Sequence, residues 1–260
     1  MQSNSQRESI EALRLLALTR RQSVIIEGPS GCGKTYLSKQ YANMLNIDNY
    51  SQIAPKVSDI RDALDTCSQF QTDVLLQIEN LDLGVAGAAY TLLKSLEEPT
   101  PNVYIVITCR NIDNVPDTIL SRSAVVTVSP PTLSDIDTYG RETNLVKFNN
   151  VCQRLVWQCV RSFSDASAVL EMNPDQIQYY ESLSQVCKFS DSISNIVWQI
   201  SHYNDGSENN LELAIRSIVE LMKKPFITKC GIDCIRDLNK GRIAQHAVLS
   251  KFAFDAKYCE

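Results

Sequence analysis

The chain has 260 residues, 44% hydrophobic and 21% charged, which fits a soluble globular protein with one large domain or two to three small ones. Its net charge of −5 excludes a protein that coats nucleic acid through bulk charge, and leaves open local contacts from a few Lys, Arg or helix N-termini. No apolar run approaches the roughly 18 residues needed to span a membrane, and the polar, then amphipathic N-terminus has no secretory pattern.

In chain order, residues 8–19 (ESIEALRLLALT) carry helical periodicity, and SVIIEG (23–28) is a short β-branched run expected to be a buried strand. GPSGCGKT (28–35) follows, then a helix over 36–45. Residues 51–70 hold a short strand and a helix, with Ser58 as a candidate N-cap. DVLLQI (73–78) is a second buried strand. Residues 84–98 are helical and are ended by Pro99 and Pro101. NVYIVITC (102–109) is a third core strand, PDTILSRS (116–123) a short helix, and AVVTVS (124–129) a fourth strand. Alternation of strands and helices implies an α/β domain with a parallel sheet covered on both faces. After Pro131 the β-branched runs largely disappear, and helices are expected at 133–140, 145–162, 164–171, 174–187, 190–202, 210–223 and, in pieces, 230–255. The boundaries drawn are an α/β domain at 1–130, a helical lid at 131–172 and a helical C-terminal domain at 173–260. Trp157 and Trp198 sit in apolar helical runs and read as core residues.

Nine cysteines are scattered along the chain, and His202 and His246 are its two histidines. They form no compact four-ligand zinc set, so free thiols in a reducing cytoplasm are expected.

GPSGCGKT satisfies G-x-x-x-x-G-K-[ST] through Gly28, Gly33, Lys34 and Thr35, in the strand–loop–helix context that the phosphate-binding loop requires. The glycines let backbone N–H groups turn toward phosphates, and the helix adds its positive end. Lys34 is expected to reach the β- and γ-phosphates of ATP, and Thr35 to offer its hydroxyl to Mg²⁺. Cys32 reads as a small filler.

Such a loop needs carboxylates at the end of a neighbouring strand, one for Mg²⁺ and, in many ATPases, one for the attacking water. The strand VLLQI delivers Glu79 to the first position and Asn80 to the second. An amide orients water but accepts no proton, a loss of about 10²–10⁴ in rate where an acid or base is needed. Asp82 lies two residues further, on the expected loop.

Three later segments bring in a family. LLKSLEEP (92–99), IVITCRNIDNVPDTILSRS (105–123) and the phosphate loop together resemble the AAA+ subunits of sliding-clamp loaders: the γ/δ′-type subunits of bacteria and phages and the small replication-factor-C subunits. The likeness runs from about residue 8 to about 172. It implies ATP and Mg²⁺ as cofactors, bound by Gly28, Pro29, Ser30, Gly31, Cys32, Gly33, Lys34, Thr35 and Tyr36, with Thr35 and Glu79 on the metal. Asn80 takes the place of the catalytic Glu. Arg110 falls at the family's polar sensor, usually Asn or Thr, with Asn111 beside it. Ser164, in SFSDASAVLEM (162–172), stands where the second sensor Arg would be. Arg122 matches the arginine of the family's Ser-Arg-Cys motif, with Ser123 replacing the Cys; in that family it points into the adjacent subunit's nucleotide site.

The resemblance therefore implies an ATP-binding clamp-loader subunit with weak or absent hydrolysis of its own, a P-loop ATPase with a degraded acidic motif. Its implied partners are other loader subunits in a hetero- or homo-oligomeric ring, a sliding clamp and primer–template DNA, with no membrane. Lys56, Arg61 and the helix N-termini near 58 and 84 are the candidates for DNA contact, and 173–260 would be the collar, short for one. The alternatives are a non-catalytic scaffold in such a ring, or a self-contained AAA+ ATPase such as a helicase loader.

Overall fold

The structure is a computed structural model and describes residues 6–84, 86–142, 157, 159–171, 215–216, 219, 230–235 and 251–252. The chain divides into two compact units, Met1–Asp135 and Ile136–Glu260.

The first unit is built on five parallel strands: β1 (Ser23–Glu27), β2 (Asn49–Ile53), β3 (Val74–Ile78), β4 (Val103–Cys109) and β5 (Ala124–Thr127), in the order β2-β3-β4-β1-β5. Its helices are α1 (Arg7–Leu18), α2 (Lys34–Leu45), α3 (Val57–Ser68), α4 (Ala86–Glu97) and the short α5 (Asp117–Leu120). Strand side chains alternate between faces, and both faces are covered. Val24, Ile26, Leu75, Tyr104 and Val106 pack with Ile10 and Leu13 of α1 and Leu37, Tyr41 and Leu45 of α2. Ile25, Leu76, Ile78, Ile105 and Ile107 pack with Ile60 of α3, Leu92 and Leu96 of α4 and Ile119 of α5. The expected α/β sheet, covered on both faces, is the one found.

Local chemistry sets the element ends. Asn46, at φ 57°, closes α2 in the left-handed conformation that Asn tolerates, and the Ile47 N–H returns to the Ala42 carbonyl at 2.9 Å. α4 stops before Pro99, as expected. The N-cap of α3 is Lys56 rather than Ser58. Lys56 is extended, its carbonyl accepts from Ile60 N–H at 3.0 Å, and the Ser58 hydroxyl donates to Asp59 within the first turn. β2 begins at Asn49, earlier than the apolar pattern suggested, because this edge strand is largely polar and exposed. Three buried strand positions are also polar, Ser23 on β1, Gln77 on β3 and Thr108 on β4.

α6 (Leu133–Glu142) crosses the boundary between the units. Its start is capped reciprocally, with the Thr132 N–H donating to Asp135 Oδ2 at 2.9 Å and the Asp135 N–H to Thr132 Oγ1 at 3.2 Å. In the second unit, α7 (Phe163–Leu170) starts from Ser162, whose hydroxyl accepts the Asp165 N–H at 3.0 Å. Asp165 is buried and accepts from the Arg161 N–H at 3.2 Å and Arg216 Nη1 at 3.0 Å. Most of the other helices expected after 142, and with them the collar, lie outside the described residues.

Leu92→Ala, which empties a fully buried site under the sheet, is expected to lower stability by about 2–5 kcal/mol, whereas Leu18→Ala, at an exposed helix end, should stay within about 0.5 kcal/mol. Urea unfolding of the purified variants checks both.

Candidate nucleotide-binding site

The loop from Gly28 to Thr35 joins β1 to α2 at the carboxyl edge of the sheet. A side chain at Gly28 would put its Cβ 2.7 Å from the Val128 carbonyl oxygen and 2.9 Å from Cys32 Sγ, so this turn admits only glycine without a shift. Gly31 and Gly33 have φ of 71° and 95°, which aims successive peptide groups differently from any extended or helical run. α2 starts at Lys34, so its first N–H groups, which lack intrahelical partners, open onto the loop. Gln6 Nε2 donates to the Cys32 carbonyl at 2.8 Å and pins the loop from the start of α1. The Cys32 side chain is fully buried and burial pushes its thiol pKa up, which suits a filler.

Lys34 curls back over the loop, and its Nζ donates to the carbonyls of Gly28 at 2.7 Å and Pro29 at 2.8 Å. Burial lowers its pKa; Cys32 opposes the shift, Arg110 adds to it, and Asp82 and Cys109 oppose it. Arg110 is thus close enough to add a second positive charge to Lys34. An ammonium, a glycine-shaped loop and a helix start suit a chain of phosphates, while the Thr35 hydroxyl and Glu79 carboxylate are the hard oxygen donors that suit Mg²⁺. Pro29, Ser30, Gly31 and Gly33 lie within the loop, and Tyr36, in the first turn of α2, is partly exposed.

Glu79 follows β3 directly. Its N–H extends the ladder to the Ile53 carbonyl at 3.0 Å, and its Oε1 accepts from Gln52 Nε2 at 2.5 Å. Asn80 adopts φ 41°, ψ 56°, and its N–H donates to Thr108 Oγ1 at 3.0 Å. Asp82 does fold back, onto the end of β4. Its Oδ2 accepts from the backbone N–H groups of Arg110 at 3.0 Å and Asn111 at 3.2 Å. That carboxylate oxygen is occupied in tying two strand ends together. Asn111 Oδ1 accepts from the Asp113 N–H at 3.0 Å and caps a single 3₁₀ turn. Ser164 belongs to the second unit, as the second residue of α7.

Sequence reasoning missed Thr108, Gln77, Tyr50 and Gln52. Gln77 Nε2 lies 3.4 Å from Thr35 Oγ1, and its Oε1 accepts from the Tyr50 hydroxyl. The available signal was polarity: Gln77 and Thr108 each interrupt an apolar strand, and a buried polar side chain needs a partner.

Arg122 lies at the opposite edge. It precedes β5, and its carbonyl accepts from Arg21 Nη2, just before β1, at 3.1 Å. With parallel strands, the five residues of β1, about 16 Å, separate it from the phosphate loop of its own chain. Its guanidinium donates to Thr118 O and to Glu97 Oε1, both at 2.7 Å, with Arg122 about one third and Glu97 about half exposed. Arg122, Arg20, Arg21, Lys94, Glu97 and Glu98 line a cavity of about 590 Å³ there.

A parallel sheet ordered β2-β3-β4-β1-β5, with a phosphate loop after β1 and polar groups at the ends of β3 and β4, is an AAA+-like arrangement. Residues 52–132 match the family model described as DNA polymerase III, delta subunit. Among solved structures, a DNA polymerase III gamma subunit-related protein from Thermotoga maritima superposes with a TM-score of 0.61 at 14% identity, over 96% of this chain and 98% of that one. A single-substitution variant of RuvB from Thermotoga maritima matches with a TM-score of 0.53 at 13% identity, over 87% and 86% of the two chains. The RuvB Holliday junction branch migration motor from the same organism gives 0.52 at 13% identity, over 95% and 80%. No curated protein sequence matches the chain. At these identities the structures speak for the fold. With the family match over 52–132, the resemblance to AAA+ clamp-loader subunits of the DNA polymerase III type holds.

The left-handed backbone at residue 80 suits Asn or Gly and penalises other side chains by roughly 1 kcal/mol. Asn80→Gly should leave stability nearly unchanged, and Asn80→Ala should lower it by about that amount in urea unfolding.

Proposed function

We propose that this chain is an ATP-binding subunit of a sliding-clamp loader, with weak or absent hydrolysis of its own and with Arg122 acting on the nucleotide of a neighbouring subunit. The observation that carries this reading is the division of the sheet into two edges. One edge holds the loop, Lys34, Thr35 and Glu79, and the opposite edge, a strand length away, holds Arg122.

The binding side has what an Mg²⁺–ATP complex requires. Gly28, Gly31, Gly33 and the start of α2 would cradle the phosphates, and Lys34 and Arg110 would offset their charge. Thr35 and Glu79 would supply protein oxygens to the metal, which neutralises charge on the β- and γ-phosphates when bound. The hydrolytic side is incomplete. Asn80 carries no base, and Asp82, the carboxylate two residues further, accepts through Oδ2 from the N–H groups of Arg110 and Asn111, which fixes it to the end of β4. Orientation of water by Asn80 without proton acceptance supports slow turnover.

On the far edge, Glu97 neutralises Arg122 in a partly exposed pair of the kind worth about 1 kcal/mol or less. Exchanging Glu97 for a phosphate of an adjoining subunit would therefore cost little. Arg122 would then stabilise charge developing on that phosphate, an effect of about 10³-fold or more where such arginines have been removed. The N-termini of α3 and α4 open on the same edge as the phosphate loop, and Lys56 and Arg61 are exposed, which favours this edge for primer–template DNA. Ser164 and the helices after residue 172 are assigned here to the lid and to oligomerisation.

The isolated chain is expected to bind ATP in the presence of Mg²⁺ and turn it over slowly. Lys34→Ala should abolish binding. Arg122→Ala should leave binding intact and depress, by at least about 10³-fold, the hydrolysis gained on mixing with partner ATPase subunits. Brisk turnover by the solitary chain, insensitive to Arg122→Ala, would count against the assignment.

A further inference from the structure

The sheet face toward α2 is apolar except at one corner. There Tyr50 and Gln52, two residues apart on β2, share a face with Gln77 and Glu79, two apart across β3, in the parallel register Gln52↔Gln77. One side chain of β2 meets Glu79 directly, and another reaches Thr35 through Gln77. Gln52 Nε2 donates to Glu79 Oε1 at 2.5 Å. The Tyr50 hydroxyl donates to Gln77 Oε1, and Gln77 Nε2 in turn faces Thr35 Oγ1 at 3.4 Å. Gln77 is fully buried, and a buried carboxamide in a strand of Val, Leu and Ile costs free energy unless its partners recover it. Its two contacts are a hydroxyl of the edge strand and the hydroxyl of the phosphate loop.

The chemistry of this arrangement is directional. The Tyr50 O–H, given to Oε1, turns the NH₂ end of Gln77 toward Thr35. Thr35 Oγ1 accepts there with one lone pair and keeps the other for a cation. The Lys39 ammonium lies 5.7 Å from the centre of the Tyr50 ring and helps to place it, and burial of the phenol pushes its pKa up. Gln52 likewise leaves the second oxygen of Glu79 for other bonds.

We propose that β2 is the scaffold of the metal subsite, with Tyr50 and Gln77 as positioning residues for Thr35 and Gln52 as the positioning residue for Glu79. The inference deepens the reading of the chain as an ATP–Mg²⁺-binding subunit and rests on it. These residues act through Thr35 and Glu79 and touch neither nucleotide nor metal. Their loss therefore weakens the contribution of Mg²⁺ to nucleotide affinity and spares the contribution of the loop and Lys34.

The test is titration of the purified full chain with a fluorescent ATP analogue, in excess Mg²⁺ and in EDTA, which gives an Mg²⁺ enhancement for each variant. Gln77→Met keeps the length and volume of the side chain and removes its hydrogen bonds. Tyr50→Phe removes one oxygen from the less buried strand and covers the case in which Gln77→Met does not fold. Both are expected to reduce the enhancement by about threefold to tenfold, the worth of one hydrogen bond, with affinity in EDTA unchanged. Gln52→Ala is expected to act in the same direction. Failure of the unaltered chain to bind the analogue at all would defeat the ATP-binding reading itself. Normal binding with Mg²⁺ enhancement retained in Tyr50→Phe and Gln52→Ala, or a loss equal in Mg²⁺ and EDTA, would overturn the positioning role alone.

Discussion

The arrangement of this protein follows from parallel strand direction. Every strand of the first unit ends at one edge of the sheet and begins at the other, so the loops after β1, β3 and β4 converge while the segments before β1 and β5 converge elsewhere. The phosphate loop, Glu79, Asn80 and Asp82 belong to the first group, and Arg21 and Arg122 to the second. No rotamer of Arg122 spans the length of β1. If this arginine meets a nucleotide, the nucleotide is another chain's. The separation of Arg122 from the phosphate loop of its own chain is therefore written into the topology, before any single side chain is considered.

Within the binding edge, short side chains substitute for long-range order. The register between β3 and β4 ends at Ile78↔Ile107, and two side-chain contacts continue the connection: Thr108 accepts from Asn80, and Asp82 accepts from Arg110 and Asn111. Asp82 is thus the structural carboxylate of this corner, and its engagement accounts for the position of Arg110 near Lys34. The left-handed turn at Asn80 is what allows the chain to leave β3 and bring Asp82 across. Asn is among the few residues that adopt this conformation cheaply.

These features differ in how far the sequence exposed them. The loop from Gly28 to Thr35 was legible because its glycines, lysine and threonine are each required by local geometry at fixed spacing. The core strands were legible because Val, Leu and Ile runs of five to seven residues have few other uses in an α/β pattern. β2 was placed late because an edge strand with polar side chains carries no apolar run. Ser58 was misread as a cap because the helix begins on the extended residue Lys56, and backbone geometry there leaves no sequence mark. Gln77 and Thr108 were passed over since, in a one-dimensional reading, a lone polar residue in an apolar strand looks like noise. The register beside β2 and the approach of α2 reveal the partners of Gln77, and the end of β3 those of Thr108.

The same contrast bears on how the site is built. In a P-loop protein the residues that touch phosphate are fixed by the loop, and variation in the supporting shell is invisible to motif reading. Here the supporting side chains are neutral: two amides, a phenol and a threonine hydroxyl, drawn from β2, β3 and β4, in a corner that also holds the carboxylates of Glu79 and Asp82. These groups orient the oxygens of Thr35 and Glu79 without adding charge of their own. At the other edge the charge of the partly exposed Arg122 is met by a carboxylate, that of Glu97.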